Sequence, residues 1–193
     1  MSDTLGWAFT ALAVLLVLGW YLSYSASRLD RLHHRVETLR AALDAQLARR
    51  AAAAVEAAPL LDPATGLLVA DAAAQALAAG ETRSEASETE WIEAAGPTEE
   101  IENDLTRALH VAFGDPAEVA ELRDSAPLAA QSLELLTQAC TRVQLARRFH
   151  NDAVAAAVRM RRKPVVRWAR LAGHAPLPVM VEIDDSVPSG LTV

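Results

Sequence analysis

Cysteine, glycine and aromatic residues are scarce in this chain, and each shortage narrows the kind of protein it can be. Cys140 is the only cysteine among 193 residues, so an intramolecular disulfide is excluded. Eight glycines and an aromatic share of 5% leave few of the residues that turns and strands favour, whereas hydrophobic residues, many of them alanine, make up 52%. Because alanine is the best helix former, this composition predicts an all-α protein.

Motifs typical of enzymes are missing as well. The sequence contains no GxxxxGK[ST], GxGxxG, HExxH or GxSxG pattern. His33 and His34 are adjacent, so a helix would point them in different directions. Cys140 and His150 would stand about 15 Å apart along one helix, which is too far for a nucleophile and its base. We therefore predict a protein that is not an enzyme, with no catalytic residue, no metal site and no cofactor.

Lysine is nearly absent, since Lys163 is the one lysine of the sequence against 17 arginines. The formal net charge is −7. A nucleic-acid-binding domain is usually basic and offers aromatic side chains on which bases stack. An acidic chain with few aromatic residues therefore argues against nucleic acid as a partner.

The most decisive feature that the chain does have is an uncharged run over residues 5–26. As a helix, these 22 residues would span about 33 Å, enough for a hydrocarbon layer of about 30 Å. Aromatic residues stand near both ends, as they do at the two interfaces of a membrane. The preceding MSDT lacks the positive charge of a signal peptide. We predict a transmembrane anchor over residues 1–27, and its marker residues are Leu5, Trp7, Trp20, Tyr21, Tyr24 and Ala26.

Charge predicts the orientation of this anchor. No lysine or arginine precedes the run, and six arginines follow it by residue 50. Positive residues remain on the cytoplasmic side of a membrane. We therefore expect a single-pass protein of the cell membrane (the inner membrane of a bacterial cell), with its N-terminus outside and residues 27–193 in the cytoplasm.

Beyond the anchor, apolar residues recur at spacings of 3 and 4, at Leu29, Leu32, Val36, Leu39 and Leu43. This seam is typical of a coiled coil or of one edge of a helical bundle, and its two heptads favour the bundle. No glycine or proline interrupts the chain between residues 19 and 59. The membrane helix is therefore predicted to continue into the bundle and to end before Pro59.

Asp-Pro and Ala-Pro pairs mark the later helix starts. The predicted elements are a helix from Pro63 to about Gly80, one from Thr98 to before Gly114, a short one after Pro116 and a long one from Pro127 to Lys163. Residues 28–172 then form an antiparallel cytoplasmic bundle of about four helices. The acidic stretch 81–97 is predicted to be a flexible loop within it, and residues 173–193 an irregular, proline-containing tail.

The end of the long helix is strongly basic. Residues 142–170 hold nine lysines or arginines and one acid, whereas residues 81–104 hold nine acids and one arginine. An up-and-down bundle returns the long helix to the membrane, where each cation gains about 1 kcal/mol beside anionic lipid. Pairing with the acidic stretch is the alternative. The predicted headgroup-contacting residues are Arg161, Arg162, Lys163, Arg167, Trp168 and Arg170.

Four short elements follow one another near the C-terminus: Phe149-His150-Asn151, Lys163-Pro164, Gly173-His174 and Val181-Glu182. They resemble the aromatic-Asn, Phe-Pro, Gly-aromatic and Phe-Glu elements that end LemA family proteins. A histidine is inserted in the first element, and Ala157-Val158 replaces a second aromatic-Asn pair. Residues 39–50 and 102–109 resemble the first cytoplasmic helix of that family and the segment that introduces its third.

The resemblance implies a membrane helix with an outside N-terminus and a long antiparallel four-helix bundle, and it supplies no catalytic residue. The leading functional expectation is a membrane-anchored interaction or scaffold protein that binds an unknown protein partner and anionic lipid headgroups; homo-oligomers are allowed. The alternative is an enzyme or enzyme regulator, such as a Mg-dependent, Nudix-like hydrolase using acids of residues 81–104. The stretch TEEIEND offers acids but lacks the glycine, arginine and spacing of that pattern.

Overall fold

The computed structural model of the protein describes residues 2–85, 88–169, 171, 173 and 176–192, with side chains except those of residues 2–5, 84–85, 88–89 and 91–95. These residues form helices and no strand, which confirms the all-α prediction. The α-helices are α1 (Ser2–Ala57), α2 (Pro63–Glu85), α3 (Glu88–Phe113), α4 (Pro116–Ser125), α5 (Pro127–Arg161) and α6 (Pro164–Trp168). Two 3-10 turns cover Ala58–Leu60 and Ser189–Leu191.

Helix α1 is a single rod of 56 residues, about 84 Å long at 1.5 Å per residue. It runs without a break from the apolar N-terminal run into the bundle and ends at Ala57, ahead of Pro59, as predicted. Within the bundle it buries Leu29, Val36, Leu43 and Leu47. These spacings of seven and four residues keep one stripe of the helix against its neighbours.

The bundle is an up-and-down arrangement in which α1 packs against both α2 and α5, and α2 packs against α3. The short α4 is the corner that turns the chain from α3 into α5. Among the described residues, α3 and α5 do not form a packed pair, so one side of the bundle lacks helix–helix packing. That side is occupied by the C-terminal chain.

The start signals of α2, α4 and α5 are confirmed, and aspartate side chains cap the first two of these helices. Asp62 accepts a hydrogen bond from the Ala64 amide at 3.0 Å, and Asp115 accepts one from the Ala117 amide at 2.8 Å. Each carboxylate satisfies an amide that has no partner inside the helix. At the other end, α5 stops at Arg161 and the chain re-enters a helix at Pro164.

The predicted loop over residues 81–97 is wrong over the residues that the structure describes. Helix α2 continues to Glu85, well past Gly80, and α3 begins at Glu88, well before Thr98. Pro97 lies inside α3. The stretch is acidic because it is rich in glutamate, and glutamate and alanine are both good helix formers, so polarity alone did not indicate a loop.

The predicted tail is irregular, since residues 176–188 form neither helix nor strand, but it is part of the bundle. Val181, Ile183 and Leu191 are buried, and the first two belong to a core cluster with Leu43 and Leu47 of α1. We call residues 176–192 the C-terminal strap. Its end is wedged against the α3–α4 corner, where a Cβ on Gly190 would lie 2.6 Å from the Val119 side chain and 2.7 Å from the Phe113 carbonyl oxygen.

Candidate membrane-facing site and its ionic support

The N-terminal half of α1 is an exposed apolar rod. Every side chain from residue 6 to residue 21 is exposed, and no other described element covers it. This helix is long and apolar enough to cross a membrane. In water such a surface would be strongly unfavourable, at about 25 cal/mol per Å² of apolar area, so the rod calls for an apolar environment.

The residues assigned to the anchor follow the expected order along α1. Trp7 is 77% exposed and Trp20 is 71% exposed, one near each end of the rod. Trp20 and Tyr24 stack with ring centroids 6.1 Å apart, and Tyr21 is also exposed. Ala26 lies where the bundle begins to cover the helix, and the side chain of Leu5 is outside the described ones.

The basic end of α5 comes back to the point where the apolar rod ends. Met160 of α5 and Val166 of α6 pack in one buried cluster with Leu29 of α1. Leu29 is three residues past Ala26, which corresponds to about 5 Å along the helix axis. The up-and-down topology therefore places the C-terminal end of α5 beside the end of the uncharged run.

We call Arg162, Lys163, Arg167 and Trp168 the basic tip. All four are exposed, and Trp168 reaches 77% exposure. Burial of Met160 and Val166 on one side turns these cations and the indole outwards. Arg161 is half-buried and donates a hydrogen bond to the Pro176 carbonyl oxygen at 2.5 Å, while the predicted contact residue Arg170 lies outside the described residues.

A buried ionic network connects α1, α2 and α3 deeper in the bundle, away from the basic tip. Arg50 of α1 and Glu102 of α3 are 2% and 1% exposed, and Arg50 Nη2 lies 2.8 Å from Glu102 Oε2. Arg83 of α2 donates to the other carboxylate oxygen at 3.1 Å and lies 3.3 Å from Asp44 Oδ1. Two arginines and two acids thus balance in charge, which is the condition under which ions tolerate burial.

The same network reaches the strap through Thr106, which is 1% exposed. Its hydroxyl accepts from Arg50 Nη1 at 3.0 Å and lies 2.7 Å from the Asp184 carbonyl oxygen, to which it donates. A chain of charge-assisted and neutral hydrogen bonds therefore connects α1, α3 and the strap. Such a network fixes the register of the elements that it joins.

Helix α3 holds the strap by side chains that are one or two turns apart. Glu99 accepts from the Glu182 amide at 2.8 Å, Asn103 accepts from the Asp184 amide at 2.7 Å, and His110 lies 2.8 Å from the Ser186 hydroxyl. Spacings of four and seven residues put these groups on one face of α3. They replace the backbone partners that a neighbouring strand would otherwise provide.

Helix α5 holds the opposite edge of the strap. Asn151 accepts from the Val181 amide at 2.9 Å and donates to the Val181 carbonyl oxygen at 3.0 Å. Arg147 binds the Asp185 carboxylate through two nitrogens, at 2.6 and 2.9 Å. Asn151 and Val181 are thus hydrogen-bond partners in the structure. They come from two of the elements that resemble the LemA pattern, Phe149-His150-Asn151 and Val181-Glu182.

Burial shifts the pKa of two groups that could carry chemistry. Burial raises the pKa of the Cys140 thiol above its ordinary value, although the positive charge of Arg50 opposes the rise, so the thiol stays protonated at neutral pH. Burial lowers the pKa of His150, whose Nε2 lies 3.4 Å from the Val179 carbonyl oxygen. His150 is therefore a neutral group under the start of the strap.

The described residues contain no group of three His, Cys, Asp or Glu side chains that could hold a metal ion together. Of the acids in residues 81–104 that a hydrolase would use, Glu102 is engaged by two arginines and Glu99 by the strap. These contacts give both acids a role in holding the bundle together.

Sequence reasoning missed the ionic network, although a signal for it exists. Arg50 lies three residues after Leu47 and four before Ala54, which are both buried, so it occupies a seam position of α1. Glu102 lies between the buried Thr98 and Leu105 at spacings of four and three. Charged residues at seam positions of different helices predict a buried pair once the helices are known to be neighbours.

Neither a family model nor any curated protein or solved structure matches this chain. The family resemblance therefore rests on the motifs quoted above.

Proposed function

We propose that this protein is a membrane-anchored helical scaffold of LemA-like type that binds a protein partner and whose basic tip contacts anionic lipid headgroups. In this proposal it is a binding protein and not an enzyme. The N-terminus lies on the outer side of the cell (inner) membrane and the bundle lies in the cytoplasm. The observation that carries the proposal is the position of the basic tip beside the end of the exposed, uncharged run of α1.

Two properties of the basic tip support the lipid contact: its level along α1 and its chemistry both fit anionic headgroups. If residues 5–26 span the membrane, Leu29 and its partners Met160 and Val166 lie at the cytoplasmic headgroup level. Three exposed cations at that level would gain about 1 kcal/mol each from an anionic leaflet. The exposed Trp168 suits the interface between headgroups and hydrocarbon.

The anchor and its orientation are tested with the full chain. We expect it to remain with the membrane fraction in alkaline carbonate and to be released by detergent. A reporter fused to the C-terminus should be active in the cytoplasm. Release without detergent, or an extracytoplasmic reporter, would contradict the proposal because either result separates the uncharged run from the membrane or reverses the charge rule.

The headgroup contact is tested by amide hydrogen exchange over residues 160–169 of the full chain in nanodiscs. Exchange should be slower in discs with anionic lipid than in zwitterionic discs, and the triple variant Arg162→Gln, Lys163→Gln, Arg167→Gln should remove the difference. The matched control is Arg49→Gln, Arg142→Gln, Arg148→Gln, which deletes three exposed arginines from α1 and α5. Identical exchange in both lipids, or equal effects of the two triple variants, would refute the contact.

A further inference from the structure

The end of the bundle that lies farthest from the basic tip carries a groove of opposite character. It begins as a depression of about 520 Å³ between the α1–α2 turn, the end of α3 and α4. Its apolar lining and its acidic rim come from different residues. The lining is Leu60, Leu61, Val111, Ala112 and Leu122, and the rim is Asp62, Glu118 and Glu121.

The groove continues along the α2–α3 surface. A second depression, of about 290 Å³, shares Val111 with the first and is also lined by Leu68 and Ile101. Val111 is 69% exposed and Leu68 is 49% exposed, so two large apolar side chains face solvent along it. From Ile101 to Ala112 the groove follows about 16 Å of α3, which is the length of three helical turns. We call the two depressions together the distal groove.

Its charge is almost entirely negative. Five carboxylates line it, and Arg107, the single cation of its lining, pairs with Asp104. Hydrogen bonds from the Thr65 side chain and amide hold the pKa of Asp62 below its ordinary value, so this rim carboxylate stays charged. Glu118 and Glu121 are three residues apart on α4 and therefore share one face.

Apolar surface with an acidic rim selects the class of ligand. An anionic lipid surface is repelled, and α1 carries the groove about 46 Å from the end of the predicted membrane span. A second copy in the same membrane would keep its own basic tip at the headgroups. A cationic amphipathic helix matches the groove, because it presents an apolar stripe at i, i+3, i+4 and i+7 between rows of lysine or arginine.

We propose that the distal groove binds a cationic amphipathic helix of a partner protein. Apolar side chains of that helix pack on Leu68, Val111 and Leu122, and its cations face Glu118 and Glu121. The inference deepens the proposed scaffold function, on which it rests for the distance between groove and membrane. The groove itself exists whether or not the membrane assignment holds.

The probe is a synthetic 18-residue peptide of leucine and lysine in amphipathic helical order, carrying a fluorophore and a photo-crosslinking residue in its apolar stripe. A scrambled peptide of the same composition is its control. Binding is measured on the full chain in zwitterionic nanodiscs, so that lipid adsorption is common to every sample. We expect Glu118→Lys with Glu121→Lys to weaken binding about tenfold or more, and crosslinks to map to α2, α3 and α4 around the groove.

Two control sets keep the result interpretable. Glu56→Lys with Glu134→Lys makes the same change in net charge on the α1 and α5 surfaces and should leave binding unchanged. Val111→Gln removes an apolar contact without altering charge and should weaken binding, while Leu145→Gln, also an exposed apolar residue, should not. Thermal unfolding of each variant shows that the bundle is intact.

Equal binding by wild type and the Glu118/Glu121 variant overturns the proposal. So does equal binding of the ordered and scrambled peptides, or crosslinking outside the groove. An anionic peptide with glutamate in place of lysine should instead gain affinity for the Glu118/Glu121 variant. Failure here would leave the carbonate and hydrogen-exchange results untouched, and failure of those tests would leave the groove assay valid, so the two proposals fail separately.

Discussion

The two halves of α1 share one uninterrupted backbone but meet opposite surroundings. Residues 6–21 are exposed and uncharged, whereas from Leu29 onwards every third or fourth residue is buried or half-buried against other parts of the bundle. The second half even buries the guanidinium of Arg50. Both halves are helical because of their own local sequence. Their surroundings determine whether a charged side chain is stable in each half.

The difference teaches where a charge can be buried. Arg50 is stable inside because three oxygen atoms of α3 accept hydrogen bonds from its guanidinium: the Thr106 hydroxyl, the Glu102 carboxylate and the Glu102 carbonyl. No described element approaches residues 6–21, so a charge placed there would have no protein partner. The predictions below are designed to break this contrast or to sharpen it.

The largest effect is expected from charges placed in the first half. Leu15→Arg with Leu16→Arg should cost about 5–7 kcal/mol of insertion free energy, at about 2.5–3.5 kcal/mol for each arginine near the centre of a membrane helix. Cell fractionation should show loss of the protein from the membrane. The control is Leu67→Arg with Leu128→Arg, at two exposed bundle positions, which should stay in the membrane fraction. Equal behaviour of both pairs would remove the distinction between the halves.

The packing of the second half of α1 should be weakened by removal of the α3 anion that pairs with Arg50. Glu102→Gln leaves Arg50 and Arg83 without their shared carboxylate, which should lower the free energy of unfolding by about 3–5 kcal/mol. Denaturant unfolding of the full chain in detergent measures the change. Glu100→Gln, an exposed change two residues away, should have almost no effect. A loss no greater than that of the control would mean that the network contributes little.

The strap should respond in proportion to the hydrogen bonds removed. Asn151→Ala deletes two bonds to Val181 and should cost about 1–3 kcal/mol, whereas Asn103→Ala deletes one bond to Asp184 and should cost about 0.5–1.5 kcal/mol. Amide exchange at residues 181 and 184 reports where the strap opens. If both variants left exchange at these amides as slow as in the wild type, side-chain clamping of the strap would be ruled out.

The smallest effect is expected in the pH dependence of the unfolding free energy at acidic pH. Burial lowers the pKa of His150 in the folded state, and the positive charge of Arg40 acts in the same direction. The unfolded chain therefore takes up a proton at this group first, as the pH falls through about 6.5. Stability due to His150 is complete above that pH and declines below it, until the folded form also protonates. Unfolding free energies measured from pH 8 to pH 5 should fall less steeply in His150→Gln, and parallel curves would contradict this assignment.

Helix positions were largely predictable because their signals are local. Pro59 ends the first helix region, Asp62 and Asp115 cap their helices, and Pro164 separates α5 from α6. Each effect involves residues within one turn of chain, where backbone sterics and capping act alone. The loop predicted over residues 81–97 was wrong because polarity was given more weight than helix propensity.

The candidate sites were predictable to different extents. The approach of the basic tip to the first helix followed from counting antiparallel turns, and Leu29, Met160 and Val166 bear out that return. The strap and the ionic network did not follow, because they depend on groups that are far apart in sequence. Arg50 and Glu102 are 52 residues apart, and Asn103 and Asp184 are 81 residues apart. Sequence spacing within one helix gives the face of a side chain but not the partner that meets it.

The sequence by itself determined an α-helical chain with a long uncharged start and a basic end, since propensity, hydropathy and charge are properties of neighbouring residues. Only the tertiary structure decided that an irregular C-terminal segment lies between α3 and α5, because helix side chains from both sides satisfy its backbone. It also decided that Arg50 and Glu102 are inside, where each charge is stable only in the presence of the other.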